Sequence, residues 1–454
     1  MTIDIVILAA GQGTRMKSVL PKVLHPLAGK TLLQHVIDMA ETIPDSNITV
    51  VSGYASEQIQ NSIVGKDIKY VYQAKQLGTA NAVQTAAPNL DSNGTTLVLY
   101  GDVPLISSKT VLSTLKVVNN NTMGLLTVVL EKPEGYGRIV RDRKGDICGI
   151  IEQKDATTQE LEIQEVNTGV MAIRTKFLQK WLPQIGNDNA QNEYYLTDLI
   201  SIADRAGIKI EAVNPGTPEE VKGVNTRKQL SKLERFYQQK QADRLMMNGV
   251  TLADPSRVDI RGTVFCDVDT FIDVNTVFEG EVNLGKNVSV GPNCLITESS
   301  IGDNVKIKAN TIIENSTICN GVEIGPFARV RPGTHLSDNS KIGNFVEVKN
   351  TEVGKGSKIS HLSYVGDSQL GKDVNVGAGT ITCNYDGANK NKTIIGDDSF
   401  IGSNASLVAP VTIGKNATIG AGSTITKDIS DSELSLSRSP QLNKSGWVRP
   451  KKKK

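Results

Sequence analysis

Aromatic residues are scarce in this 454-residue chain, at 4%, and net charge is nearly absent, at +2. So weak a field offers no global attraction for nucleic acid. The five cysteines (Cys148, Cys266, Cys294, Cys319 and Cys383) are odd in number and scattered, without a CxxC pair or a Cys/His cluster. That pattern excludes a disulfide framework and a cysteine-based zinc site, and it fits a reducing, cytoplasmic setting. No apolar run approaches the length of a membrane span. The short apolar stretch 3–10 lacks a basic flank and a cleavage site and runs straight into a glycine-rich turn, so it reads as a first strand.

Glycine, by contrast, is plentiful at 41, and from about 260 to 425 an aliphatic side chain returns almost every sixth residue. Ile395, Ile401, Leu407, Ile413, Ile419 and Ile425 keep that step, as do Cys266, Ile272, Phe278, Leu284, Val290 and Ile296. A period of six fits neither an amphipathic helix nor an alternating strand; it is the hexapeptide signature of a parallel β-helix. The repeats group in threes, with one-residue contractions at 296→301, 313→318, 348→353 and 365→370. Three strands per coil make a triangular prism, with aliphatics inward and Gly, Asn or Asp at left-handed corners. Cys266 and Cys294 fall on or near repeat positions and read as small core residues. The rhythm breaks between Val376 and Ile395, which predicts an outward loop over 380–393, and such loops often carry function.

Upstream, strands expected at 3–10, 48–52, 96–100 and 125–130 alternate with helices expected at 32–41, 80–87 and 195–206. That order predicts an open, mostly parallel, Rossmann-like α/β sheet over 1–224, with ligands at the carboxyl ends of the strands. Residues 225–249 read as a helical connector, with Leu230, Leu233, Phe236, Tyr237 and Leu245 at helical intervals and Gly249 closing it. Residues 250–454 hold the β-helix and a tail ending in lysines 451–454, which read as a solvated terminus.

Two constellations carry chemistry. After the first strand comes Leu8-Ala9-Ala10-Gly11-Gln12-Gly13-Thr14-Arg15-Met16, then Pro21-Lys22. Small residues let backbone N–H groups approach a phosphate, and Arg15 and Lys22 supply cations. The run is neither a Walker A motif nor a GxGxxG fingerprint, since Met16 stands at the third glycine. The strand Leu97-Val98-Leu99-Tyr100 ends in Gly101-Asp102, a carboxylate placed to hold Mg²⁺, although such an Asp also reads as a turn cap.

With Pro26-Leu27-Ala28-Gly29-Lys30, Gln73, Gly78-Thr79-Ala80, Gly135-Tyr136-Gly137-Arg138, Glu152-Gln153-Lys154-Asp155-Ala156, Asn167-Thr168-Gly169 and Gly223-Val224-Asn225, these runs resemble the sugar-1-phosphate nucleotidyltransferases. The whole chain, in order, resembles the bifunctional N-acetylglucosamine-1-phosphate uridyltransferase/glucosamine-1-phosphate acetyltransferase family. Gln12 departs from it, in a slot often held by lysine.

The resemblance implies that Leu8, Ala9, Ala10 and Gly11 contact UTP beside Tyr100 and Gly101, while Gln73, Gly78 and Thr79 read the uracil. It implies that Arg15 and Lys22 stabilise the triphosphate, and that Asp102 and Asn225 hold Mg²⁺. Gly137, Glu152 and Asn167 would take the amino sugar of N-acetylglucosamine 1-phosphate.

The second constellation centres on His361, two residues beyond the inward Ile359, with Tyr364 on its strand and Arg331 and Lys349 expected one coil earlier. A lone histidine here also reads as a surface residue. The resemblance implies a left-handed β-helix in which His361 is the general base of acetyl transfer. Arg331, Lys349, Tyr364, Asn375, Asn384 and Tyr385 would bind glucosamine 1-phosphate and place the acyl group. Ala378, Ser403, Ala421 and Arg438 would contact acetyl-CoA as co-substrate, joined by Asn384 and Tyr385. It further implies a homotrimer with the site between neighbours, to which Lys444 and Trp447 of the tail could contribute. Cys383 reads as a bystander. Two rivals are a pyrophosphorylase with a merely structural β-helix and a non-catalytic scaffold; CoA release and UTP-dependent pyrophosphate release distinguish them.

Overall fold

The computed structural model describes residues 2–65 and 67–452. It divides into two compact units, 1–237 and 238–454. The helix Arg227–Met247 runs through that division and is closed by Gly249 at φ +92°.

The first unit is built on a nine-stranded sheet. Its order is Lys209–Val213, Thr122–Val129, Glu165–Arg174, Thr95–Tyr100, Ile3–Leu8, Ser46–Ser52, Lys69–Tyr72, with the hairpin Arg138–Arg141/Ile147–Ile151 joined to Glu165–Arg174. Ile3–Leu8 lies parallel to both of its neighbours, whereas Glu165–Arg174 is antiparallel to all three of its own. The central strands are apolar almost throughout because the sheet is covered on both faces: Ile5, Ile7, Leu97 and Leu99 pack on one side, Val6, Val98 and Met171 on the other. The first strand ends at Leu8 rather than residue 10, although the Ala9 N–H still reaches Val51 O at 2.9 Å. The helix expected at 195–206 is shorter, Asp198–Arg205, because residues 194–196 turn back to bond Leu77 O and the Thr79 hydroxyl.

The second unit is the left-handed prism. One face stacks short parallel strands from Thr251–Leu252 to Leu434–Ser435, and the other two continue on either side of Leu295–Ile301. Ile342, Val348 and Val353, one from each face, are fully buried, and their equivalents form one continuous apolar core. Asn287, Asn293, Asn304, Asn310 and Asn404 take the left-handed backbone that the corners demand. Cys294 is buried, and Cys266 packs against the core half-buried. The rhythm does not fail at Val376: Thr382, 1% exposed, fills the next inward position with a hydroxyl-bearing side chain in place of an aliphatic one. The insertion is therefore residues 384–392, between the strands Ile381–Cys383 and Thr393–Ile395. Among the described residues no helix is long and apolar enough to cross a membrane. Of the lysine run, 453 and 454 lie outside the described residues.

Candidate active sites

In the first unit, the carboxyl ends of Ile3–Leu8 and Thr95–Tyr100 lie side by side, with Gly101 N–H on Leu8 O at 3.0 Å. The chain leaves Leu8 through Ala9 and Ala10, both buried, to the exposed Gly11. A side chain on Gly11 would meet nothing within 4 Å, so the gap faces open space. Gly13 is different. At φ +65° its hydrogen faces the Lys22 stem, and a Cβ there would stand 2.5 Å from Lys22 Cβ.

That close approach fixes Lys22. Its ammonium contacts Asp102 Oδ2 and donates to Asn225 Oδ1 at 3.2 Å. Arg15 donates to the same Asn225 oxygen at 2.9 Å. Four predicted residues from separate segments thus converge, with the Lys22 and Asp102 side chains only 17% and 13% exposed. Asn225 arrives because Val224 N–H bonds Asp102 O at 2.9 Å. The ammonium occupies the place between a carboxylate and an amide oxygen that a divalent cation can take, so this donor set fits Mg²⁺ completed by phosphate oxygens and water.

Gly137, Glu152 and Asn167, which the resemblance assigns to the amino sugar, adjoin one another. Asn167 N–H bonds Gly137 O at 2.9 Å, and a Cβ on Gly137 would lie 3.4 Å from the Glu152 carboxylate. Burial pushes Glu152 above the usual carboxylate range, opposed by the Thr197 hydroxyl at 3.2 Å. Tyr100 is held in place by Gly169, where a Cβ would stand 2.4 Å from its ring; burial, then Glu152 and Asp102, raise its phenol well above the usual range. Gln73 is buried and bonds Gly78 O and Asn81, while the Thr79 hydroxyl accepts from Leu196 N–H.

On the prism, one corner carries a column of predicted residues. His361 pairs in register with Asn344 one coil before, and its Nδ1 lies 2.6 Å from Asn344 Oδ1. Gly379 N–H bonds His361 O, Asn404 N–H bonds Ala378 O and Gly422 N–H bonds Ser403 O, so His361, Ala378, Ser403 and Ala421 rise one above another. Arg438 closes the column with a 2.8 Å bond to Ala421 O.

The adjacent face gathers the rest. Arg331 bonds Glu347 at 2.8 Å, Lys349 lies 3.4 Å from Asp367, and Asn384 bridges the Tyr364 hydroxyl and Asp367. Burial raises the Asp367 carboxyl, but Asn350, Asn384 and Lys349 together hold it below its ordinary range.

Residues 5–149 match the model of the MobA-like NTP transferase domain, 260–339 the GMPPB C-terminal domain and 392–427 the bacterial transferase hexapeptide repeats. The chain is 54% identical over 450 residues to the bifunctional protein GlmU of Marinobacter nauticus, covering 99% of each. It is 52% identical over 454 residues to that of Idiomarina loihiensis, covering all of both. The chain belongs to the GlmU family. As a GlmU enzyme it is bifunctional, an acetyltransferase and a uridyltransferase of UDP-N-acetylglucosamine synthesis.

Not every GlmU residue singled out in the sequence joins a cluster. Asn375 stands on the first face, in register with Lys358 and Phe400, and among the described residues no hydrogen bond ties it to Tyr364 or Lys349. The Tyr385 hydroxyl is satisfied within its own loop, on Gly387 O at 2.6 Å. Lys444 and Trp447 are exposed in an irregular tail. Conversely, Asn344, Glu347, Asp367, Asn81 and Thr197 were missed. For Asn344 a signal existed, since it precedes His361 by one 17-residue coil; the others declare themselves only through contacts.

Proposed function

We propose that the convergence of Arg15, Lys22, Asp102 and Asn225 is the uridylyl-transfer centre, and the column on His361 the acetyl-transfer centre. In the second unit the amine of glucosamine 1-phosphate attacks the thioester carbonyl of acetyl-CoA. The C–N bond forms, the C–S bond breaks and CoA leaves. His361 takes the amine proton at Nε2, because Asn344 Oδ1 accepts the Nδ1 proton and leaves the other nitrogen free. Arg331 and Lys349 face the sugar phosphate, with Tyr364, Asn384 and Tyr385 beside them, and Ala378, Ser403, Ala421 and Arg438 offer the wall for CoA. Asn375 is the weakest member of the set.

In the first unit a phosphate oxygen of N-acetylglucosamine 1-phosphate attacks the α-phosphorus of UTP and pyrophosphate departs. Leu8, Ala9, Ala10 and Gly11 line the nucleotide beside Tyr100 and Gly101, and Gln73, Gly78 and Thr79 face the base. Gly137, Glu152 and Asn167 hold the sugar. Arg15 and Lys22 spread the charge that develops on the phosphates. Asp102 and Asn225 would hold Mg²⁺, which when bound neutralises phosphate charge and aligns the two substrates.

The active assembly is a homotrimer, as the family resemblance implies. Phe327, Phe345 and Leu362, 50%, 55% and 63% exposed, stack at left-handed corners where other coils place asparagine or glycine. The two phenyl rings lie 5.2 Å apart. An exposed apolar ladder next to Asn344 and His361 is suited to burial by another copy at the acetyl site. Five free thiols accord with a reducing cytoplasm. Mass spectrometry of products from glucosamine 1-phosphate, acetyl-CoA, UTP and Mg²⁺, omitting each in turn, tests the sequence of reactions. UDP-sugar formed without acetyl-CoA would overturn that order.

A further inference from the structure

Gln73 is 3% exposed, and its backbone N–H is held by Ser52 O at 2.7 Å. Its side-chain Nε2 donates to Gly78 O at 3.3 Å and to Asn81 Oδ1 at 2.8 Å. A glutamine amide has two N–H donors and one carbonyl oxygen. Both donors are therefore spent, and among the described residues no hydrogen bond ends on Oε1. Asn81 lies in the first turn of the helix Thr79–Ala86, where the Thr85 hydroxyl donates to its main-chain carbonyl at 2.8 Å.

We propose that Asn81 is a positioning residue that locks the Gln73 amide with its oxygen presented to the nucleobase, so that the site accepts uracil and rejects cytosine. The inference rests on the reading that Gln73 faces the base. Uracil offers an N3–H donor between two carbonyl acceptors. Cytosine offers a bare N3 acceptor beside an amino donor. A fixed Oε1 accepts the uracil N3 proton and opposes the cytosine N3 lone pair. A glutamine free to flip would donate to cytosine instead. Of the two restraints on the flip, the bond to Asn81 is the shorter and stronger.

The test compares pyrophosphate release from UTP and CTP in full-length variants, with acetyl transfer by the second unit and circular dichroism as folding controls. Asn81→Ala is expected to lower the UTP/CTP ratio of kcat/KM by about tenfold, the scale of one lost hydrogen bond. Asn81→Asp, which keeps an acceptor oxygen, should hold the ratio within about threefold of the parent. If Asn81→Ala fails to fold, Asn81→Ser, one heavy atom shorter than asparagine at the acceptor, takes its place. A ratio unchanged in Asn81→Ala, or lost equally in Asn81→Asp, overturns the proposal. Gln73→Leu separates the two possible failures. If it also leaves the ratio unchanged, Gln73 does not read the base and the underlying reading falls. If it lowers the ratio while Asn81→Ala does not, only the lock falls.

Discussion

Gly13 offers the sharpest perturbation of the uridylyl-transfer centre. Its backbone at φ +65° is left-handed, so Gly13→Ala costs roughly 1–2 kcal/mol before any contact is counted. The new methyl would then stand 2.5 Å from Lys22 Cβ. Carbon atoms settle at roughly 3.5–4 Å, so the two must part by about 1 Å. The atom displaced belongs to the stem of Lys22, not to a flexible tip. The ammonium that now contacts Asp102 and Asn225 moves with it. A misplacement of that size costs on the order of 10²-fold in rate at a preorganised centre. Pyrophosphate release from UTP and N-acetylglucosamine 1-phosphate measures the loss, with acetyl transfer by the second unit as internal control. Gly11→Ala is the contrast. Nothing lies within 4 Å of its Cβ, so it should leave thermal stability unchanged and raise the KM for UTP through the ligand alone. A Gly13→Ala enzyme with uridylyl transfer within about twofold of the parent refutes the argument that this glycine sets the position of Lys22.

Three further outcomes follow from the geometry. Asp102→Ala and Arg15→Ala should each cut uridylyl transfer by about 10²-fold or more while leaving acetyl transfer intact, as paired coupled assays would reveal. Glu152→Gln should raise the KM for N-acetylglucosamine 1-phosphate. It should also stabilise the protein at neutral pH, because burial raises this carboxyl and its folded-state proton is held more tightly than in the unfolded chain. The parent therefore loses stability as pH rises through that raised value, and the Tm gap between variant and parent should widen from acid to neutral pH; a constant gap would count against a buried carboxylate. Phe345→Asp places a charge in the exposed ladder and should yield monomers in sedimentation, with acetyl transfer lowered about tenfold or more and uridylyl transfer retained. A trimer that survives the change would remove this ladder from the interface.

The architecture of the second unit was legible because a solenoid writes its geometry at short range. Each face of a coil buries an aliphatic side chain at a fixed six-residue step, so the run from Ile395 to Ile425 predicted the prism. Thr382 is buried yet polar, so an aliphatic pattern places the break in the repeat too early. In the first unit the phosphate-binding turn and Asp102 were visible as local motifs after apolar strands. Asn225, over a hundred residues away in sequence, was placed by family resemblance alone.

The order of strands and helices, the coil period and the residue types at both centres belong to the sequence, since each depends on neighbours a few positions apart. Only the tertiary structure decided which of them meet. Asn225 joins Asp102 because a backbone hydrogen bond from Val224 brings it there, and Asn344 finds His361 because coils stack in register. Gly13 matters through a methyl it lacks, beside a lysine nine positions on. Such relations depend on distance through space, which the order of residues encodes only once the chain has folded.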